Sequence, residues 1–210
     1  MKPLLVATTN PAKLDEYRLL LREFDLAPLS LREAGVDDHA PEETGATFIE
    51  NAQLKARFYF TRANFPTIAD DGGLMVDALG GEPGVRSHRW LATAPAHGDL
   101  DRALAEEVIR RMAGVEPSRR GARLRAATAL VYFEHGRIHE RVSEAALEGV
   151  IADRVWPRMR KGFPYRAVLF LPDRGCYLGE LSDEDAARFS QRRVSLAGLR
   201  ADLMQIAGMR

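Results

Sequence analysis

Two adjacent carboxylates, Asp70 and Asp71, precede Gly72-Gly73 in the stretch from Ile68 to Gly81, with apolar residues on both sides. Neighbouring acids can hold a hard divalent cation, and one of them can orient a water for attack. The same four residues also suit an ordinary turn, because glycine takes positive φ and aspartate bonds its own backbone. The loop that follows, Gly80-Gly81-Glu82-Pro83-Gly84-Val85-Arg86-Ser87-His88-Arg89-Trp90, adds a hydroxyl and arginines. Acids and cations on nearby loops point to phosphate and metal.

Two further groups could supply positive charge. Thr8-Thr9-Asn10-Pro11-Ala12-Lys13 stands between an apolar run and a helical pattern, with Asn10 a good helix cap and Pro11 suited to the first helical position. A helix amino terminus beside a lysine and two hydroxyls is a phosphate cradle, although a capped helix with a solvent-facing lysine gives the same pattern. Asn51 and Lys55 are spaced i and i+4, so both can point to one place, with Glu50 alongside. An ordinary surface helix is the alternative. Farther on, Arg158 to Arg166 carries Phe163 and Tyr165 among cations, a combination that suits a nucleobase and its phosphates.

The elements that must position these residues follow from periodicity. Residues 3–7 form a short apolar run, read as a buried strand, and Leu14, Tyr17, Leu20, Leu21 and Phe24 recur at helical spacing after it. Residues 29–44 read as a second short strand and a polar connection bearing Asp37, Asp38, Glu42 and Glu43. Helices are predicted over 48–60 and 101–112, a hairpin over 126–138, an apolar strand over 167–171 and a closing helix over 196–206. The basic run Arg119, Arg120, Arg123 and Arg125 lacks interleaved aromatics and is assigned to a solvated loop and strand entry.

Composition bounds the function classes. The chain has 210 residues, 46% of them hydrophobic, enough for one full core or two joined lobes. Thirty basic against thirty acidic residues give no net charge, which argues against a general nucleic-acid binder or an acidic membrane surface as partner. The single cysteine, Cys176, cannot form an internal disulfide and fits a reducing compartment. With no secretory pattern and no long apolar run, a cytoplasmic protein is expected.

Together, Thr8-Thr9-Asn10-Pro11-Ala12-Lys13, Thr47-Phe48-Ile49-Glu50-Asn51-Ala52 with Lys55, Asp70 to Gly84, and Ser87-His88-Arg89 resemble the inosine triphosphate pyrophosphatase family, the house-cleaning enzymes for non-standard purine nucleotides. Four motifs in order are more specific than any one alone. The resemblance implies an α/β fold with a long central mixed sheet flanked by helices, two lobes around a substrate cleft spanning residues 1–210 as one domain, and usually a homodimer. It implies Mg²⁺-dependent attack of water at the α-phosphorus of inosine, deoxyinosine or xanthosine triphosphate, releasing pyrophosphate.

Carried onto this sequence, the resemblance gives Thr8, Thr9, Asn10 and Lys13 to phosphate oxygens and Lys55 to the charge of the phosphate chain. Asp71 becomes metal ligand and proton acceptor beside Asp70, with Glu42 at the metal and Glu50 supporting it. Gly72 approaches substrate through its backbone, and Ser87 and Arg89 line the cleft. The second half departs from the family. Gly162-Phe163-Pro164-Tyr165-Arg166-Ala167 stands for Gly-Phe-Gly-Tyr-Asp-Pro, and Phe189-Ser190-Gln191-Arg192 for a Ser-His-Arg motif whose upstream lysine is Ala186 here. Phe163 and Tyr165 are expected to stack the base, Gln191 and Arg192 to donate to it, Arg166 to reverse the local charge, and Arg188 to restore the missing cation. A second reading, a catalytically weak or inactive nucleotide-binding relative with altered base specificity, fits those changes. The aromatic group Phe58, Tyr59, Phe60 and Phe65 could be core or dimer interface.

Overall fold

The computed structural model describes residues 1–37, 39–91 and 99–208, so Asp38 lies outside the described residues. Seven strands form one mixed sheet. In chain order these are β1 (Lys2–Val6), β2 (Leu26–Leu29), β3 (Thr67–Val76), β4 (Gly121–Glu134), β5 (Arg137–Ile151), β6 (Leu169–Leu171) and β7 (Cys176–Tyr177). They lie side by side as β2-β1-β3-β4-β5-β6-β7, with β1 parallel to both β2 and β3, and β6 antiparallel to both β5 and β7. The helices are α1 (Pro11–Leu20), α2 (Phe48–Ala63), α3 (Leu100–Arg111), α4 (Asp183–Phe189), α5 (Gln191–Gly198) and α6 (Arg200–Gly208). No helix among the described residues is long and apolar enough to cross a membrane.

The chain divides into two compact units. The first comprises Met1–Asp71, Ala126–Ala145 and Ser190–Arg210; the second comprises Gly72–Arg125 and Ala146–Phe189. In the first, Leu4, Leu5 and Val6 are buried, as expected of a central parallel strand covered on both faces. Tyr17, Leu20, Leu21 and Phe24 bury the predicted stripe of α1 and its continuation. In the second, Leu104, Ala105, Val108 and Met112 of the α3 region pack with Leu74, Val76, Val168 and Leu169.

Several sequence-based expectations are corrected. The Asp-Asp-Gly-Gly stretch is no turn: it lies inside the continuous ten-residue strand β3, and neither Gly72 nor Gly73 has a positive φ. The reversal comes later, where Gly80 and Gly81 take φ of 64° and 90°. Gly73 is required for a different reason, close approach, since a Cβ there would lie 1.9 Å from Ser87 Oγ and 2.7 Å from the Gly84 carbonyl oxygen. The second strand ends at Leu29 instead of starting there, and the strand expected over 167–171 is confined to Leu169–Leu171 after a short helical turn at Pro164–Ala167. The hairpin is far longer than its turn suggested, because β4 and β5 run 14 and 15 residues. The closing helix is two helices, α5 and α6.

The basic run is partly buried structure. Arg120 donates to the carbonyls of Ile151 at 2.8 Å and Ala152 at 2.7 Å, tying β5 to the loop before β4, and Arg123 donates to Asp77 at 2.7 Å. Tyr59 is core, with its hydroxyl donating to the His39 carbonyl, and its ring meets Phe58 edge to face.

Candidate active site

Successive side chains of a strand point to opposite faces, and this decides what the two adjacent acids do. Asp70 faces α1 and α5; Asp71 faces α2. In the first unit Asp70 Oδ2 accepts from Arg192 Nε at 2.9 Å and pairs with Lys13 Nζ at 3.2 Å. Asp71 Oδ2 accepts from Asn51 Nδ2 at 3.1 Å, and its Oδ1 accepts from Lys55 Nζ at 3.3 Å. Lys55 also donates to Glu43 Oε1 at 2.7 Å. Arg192 Nη1 reaches Glu16 Oε2 at 3.1 Å.

Three cations, Lys13, Lys55 and Arg192, thus meet four carboxylates, Glu16, Glu43, Asp70 and Asp71, a slightly negative cluster able to take a further cation. Burial alone would raise the Asp70 pKa, but Arg192, Lys13 and Lys55 together hold this carboxyl well below the usual carboxylate range. Burial pushes the Lys13 ammonium down from its ordinary value, with Asp70 opposing. Burial also works against the charge of Lys55, where Asp71 and Glu43 outweigh it and hold the pKa up.

Asn51 is the hinge of this geometry. Fully buried, it accepts the Gly45 N–H on Oδ1 at 2.8 Å, which fixes the amide so that its NH₂ faces Asp71. Asp71 is therefore held in place with both carboxylate oxygens accepting, Oδ2 from Asn51 and Oδ1 from Lys55. A Cβ at Gly45 would stand 2.6 Å from Asn51 Oδ1, so the acidic loop can approach α2 this closely only with glycine there.

The amino-terminal turn is corrected in one respect. Pro11 has no N–H, the Ala12 and Lys13 amides donate to Asn10 Oδ1, and the Leu14 amide donates to the Asn10 carbonyl. The first turn of α1 has no spare amide for an anion, so positive charge here comes from Lys13 itself. Thr8 Oγ1 accepts the Asn10 N–H and shapes the same turn, and Thr9 is exposed.

Of the acids expected at a metal, Glu42 is exposed, and Glu50 completes the cap of α2, accepting the Ala46 and Thr47 amides. Glu43 takes the place expected of them, converging with Asp71 on Lys55 Nζ. Sequence reasoning gave no role to Glu43 or Glu16 and did not pair Asn51 with Asp71. Glu16 had a usable signal, since it lies three residues from Lys13 on one helix face.

The second unit holds the residues expected at the base. Ser87 Oγ accepts the Leu74 amide at 3.1 Å and donates to the Gly84 carbonyl at 2.6 Å, so the hydroxyl pins its loop to β3 instead of facing a ligand. The buried Tyr165 hydroxyl donates to the Ser87 carbonyl at 2.5 Å, and burial raises its pKa. Arg166 lies over the Phe163 ring at 3.9 Å from its centroid and stands 3.8 Å from Asp183. The expected charge reversal at Arg166 is therefore balanced by Asp183, and Tyr165 braces a loop where a stacking role was expected. Arg188 is exposed and paired with Asp185 on its own helix, so it replaces no buried cation. Arg89 is exposed, Gly72 is half-buried in β3, and Gln191 is buried at the start of α5.

Comparisons with known proteins bear on this geometry. The model of the Ham1 family matches residues 4–202. A dITP/XTP pyrophosphatase of Xanthomonas campestris is 38% identical over 97% of this chain and 98% of its own, and one of Geobacillus kaustophilus is 37% identical over 99% and 97%. The Ham1 protein of Staphylococcus aureus superposes with a TM-score of 0.78 at 28% identity, covering 97% of this chain and 99% of its own. A dITP/XTP pyrophosphatase from Mycobacterium abscessus does so with a TM-score of 0.67 at 34% identity, covering 94% and 98%.

Proposed function

We propose that this chain, which belongs to the Ham1 family, hydrolyses non-standard purine nucleoside triphosphates such as inosine, deoxyinosine and xanthosine triphosphate to the monophosphate and pyrophosphate. The observation that carries the reading is the opposed pair on β3, with Asp71 held as an acceptor by Asn51 and cations gathered about both acids.

A divalent cation fits this donor set. Glu43 and Asp71 already converge on one cationic atom, Lys55 Nζ, and both offer hard oxygen donors. Mg²⁺ is commonly held by one or two carboxylates together with substrate phosphates, and these two acids offer that kind of hold. Bound there, Mg²⁺ would draw charge from phosphate oxygens and acidify a water. Asp71 orients the attacking water and accepts its proton. Lys13 and Lys55 offset the charge that grows on the departing pyrophosphate. Asn51 keeps Asp71 pointed by donating to its Oδ2. Residues 1–210 work as one catalytic domain, as a dimer in the cytoplasm.

A second reading, nucleotide binding without turnover, draws on the internal commitment of Tyr165 and Ser87. Pyrophosphate release from a panel of inosine, xanthosine, adenosine and guanosine triphosphates with Mg²⁺ separates the two. Turnover of the first pair at a higher kcat/KM than the second supports hydrolysis; tight binding without release supports the other.

A further inference from the structure

Within the second unit, each end of α3 grips a segment that the family resemblance sets at the nucleotide. At its start Asp99 caps the helix, accepting the Asp101 amide at 3.0 Å, so the Asp101 carboxylate is not needed as a cap. It turns instead to the Gly162 amide and accepts it at 2.5 Å. Gly162 has φ of 84° and immediately precedes Phe163 and the short helical turn Pro164–Ala167, so this bond fixes the point from which that segment departs.

At the other end Arg111 Nε donates to Glu107 Oε1 one turn back at 2.7 Å, and Nη1 donates to Glu82 Oε2 at 2.7 Å. Trp90 Nε1 donates to the same Glu82 oxygen at 3.2 Å, and the guanidinium lies over the Trp90 ring, 4.2 Å from its centroid. Glu82 and Trp90 bracket the turn Gly84–Arg89, which carries Ser87 and Arg89, so one guanidinium closes both ends of that loop. Charge-assisted bonds and a cation–ring contact on a single side chain make a firm hold. The two segments meet again where the Tyr165 hydroxyl donates to the Ser87 carbonyl.

A binding loop left loose must be ordered when its ligand arrives, and that ordering is subtracted from affinity. We propose that Asp101 and Arg111 are positioning residues for the nucleoside: acting through Gly162 and through Glu82 and Trp90, they hold the Phe163 and Arg89 segments in their binding arrangement before the ligand arrives. The inference rests on the hydrolase reading above for its substrate. Lys13, Lys55 and Asp71, to which the chemistry was given, lie outside these contacts, so loosening either end of α3 weakens nucleoside binding and leaves kcat in place.

The test measures kcat and KM for inosine triphosphate, and by titration calorimetry the Kd of inosine monophosphate and of pyrophosphate, for wild type, Asp101→Ala, Asp101→Asn, Arg111→Met and Arg102→Met. Asp101→Ala and Arg111→Met are each expected to raise KM and the monophosphate Kd about fivefold or more, with kcat and the pyrophosphate Kd within about twofold of wild type, the pattern of lost uniform binding. Asp101→Asn keeps an acceptor for the Gly162 amide and recovers most of the affinity. Arg102→Met, on the same helix but paired with Glu106 at 3.9 Å, stays at wild-type values. Unchanged monophosphate binding in both Asp101→Ala and Arg111→Met overturns the proposal, and so does an equal loss of kcat or of pyrophosphate affinity, which marks general damage to the fold. If one of the two does not fold, the other decides by the same criteria from the opposite end of α3. A wild type that binds inosine monophosphate but releases no pyrophosphate defeats the hydrolase reading alone, since the calorimetric comparison still decides this proposal; a wild type that binds no monophosphate defeats both.

Discussion

Lys55→Met separates two roles that the geometry gives one side chain. Its ammonium sits 2.7 Å from Glu43 and 3.3 Å from Asp71, so it neutralises the two carboxylates best placed for a divalent cation while also standing ready to offset phosphate charge. Opposite unit charges at 3.3 Å interact by about 5 kcal/mol at an effective dielectric near 20. Much of that is offset by desolvation of the ammonium itself, which disappears with the charge. Glu43 is partly exposed and Asp71 keeps its Asn51 donor, so the stability cost should stay near ~1–2 kcal/mol, well below the usual penalty for breaking a buried pair. Catalysis should suffer more, by ~100-fold in kcat, the scale of losing one preorganised charge at the reacting phosphate. Removing a cation from between two carboxylates should at the same time strengthen their hold on Mg²⁺, lowering the half-saturating concentration by roughly fivefold to tenfold, about 1 kcal/mol or slightly more. The assay is pyrophosphate release at saturating inosine triphosphate across a Mg²⁺ titration. A variant with kcat within about threefold of wild type and an unshifted Mg²⁺ curve would refute both roles.

Three further outcomes are expected. Asp71→Asn should lose at least ~100-fold in turnover, as for a missing general base, while thermal unfolding shifts little because the new amide oxygen can still accept from Asn51; near-normal turnover would remove Asp71 from the chemistry. Because the Asp70 pKa is depressed on folding, its ion pairs add stability at every pH above the ordinary 3.8 and lose it as pH falls below that. Circular dichroism during acid titration should therefore show wild type losing stability more steeply below about pH 4 than Asp70→Asn, which is less stable at neutral pH; parallel curves contradict the buried ion pairs of Asp70 with Lys13 and Arg192. Sedimentation at micromolar concentration should give about twice the 23.4 kDa chain mass, and a monomer would set the dimer aside.

Legibility in the sequence was uneven for physical reasons. Local signals survived: the continuous apolar run of β1, the Asn10-Pro11 start of α1 and the stripe Leu104, Ala105, Val108 of α3 each depend on neighbours within a turn or two. Asp70-Asp71-Gly72-Gly73 misled because turn propensity is local, whereas the need for Gly73 comes from Ser87, fourteen residues away in sequence but in contact across the loop. The i and i+4 spacing of Asn51 and Lys55 puts both on one helix face, and it is the fold that sets this face against Asp71. Choosing between Glu42 and Glu43 required the path of an irregular loop, which periodicity does not encode. Glu50 was recoverable: Thr47 to Glu50 has the capping-box pattern, and both members are engaged in it. Arg192 is placed at the base by family resemblance, and its contacts with Asp70 and Glu16 are legible only in the fold.

Hydrolysis in water enriched in ¹⁸O tests the central claim most directly, with mass analysis of both products from inosine triphosphate. Attack at the α-phosphorus predicts one labelled oxygen in the nucleoside monophosphate and none in pyrophosphate. Label in pyrophosphate, or release of orthophosphate with a nucleoside diphosphate, would contradict the account, because the Asp71 water would then be attacking a different phosphorus.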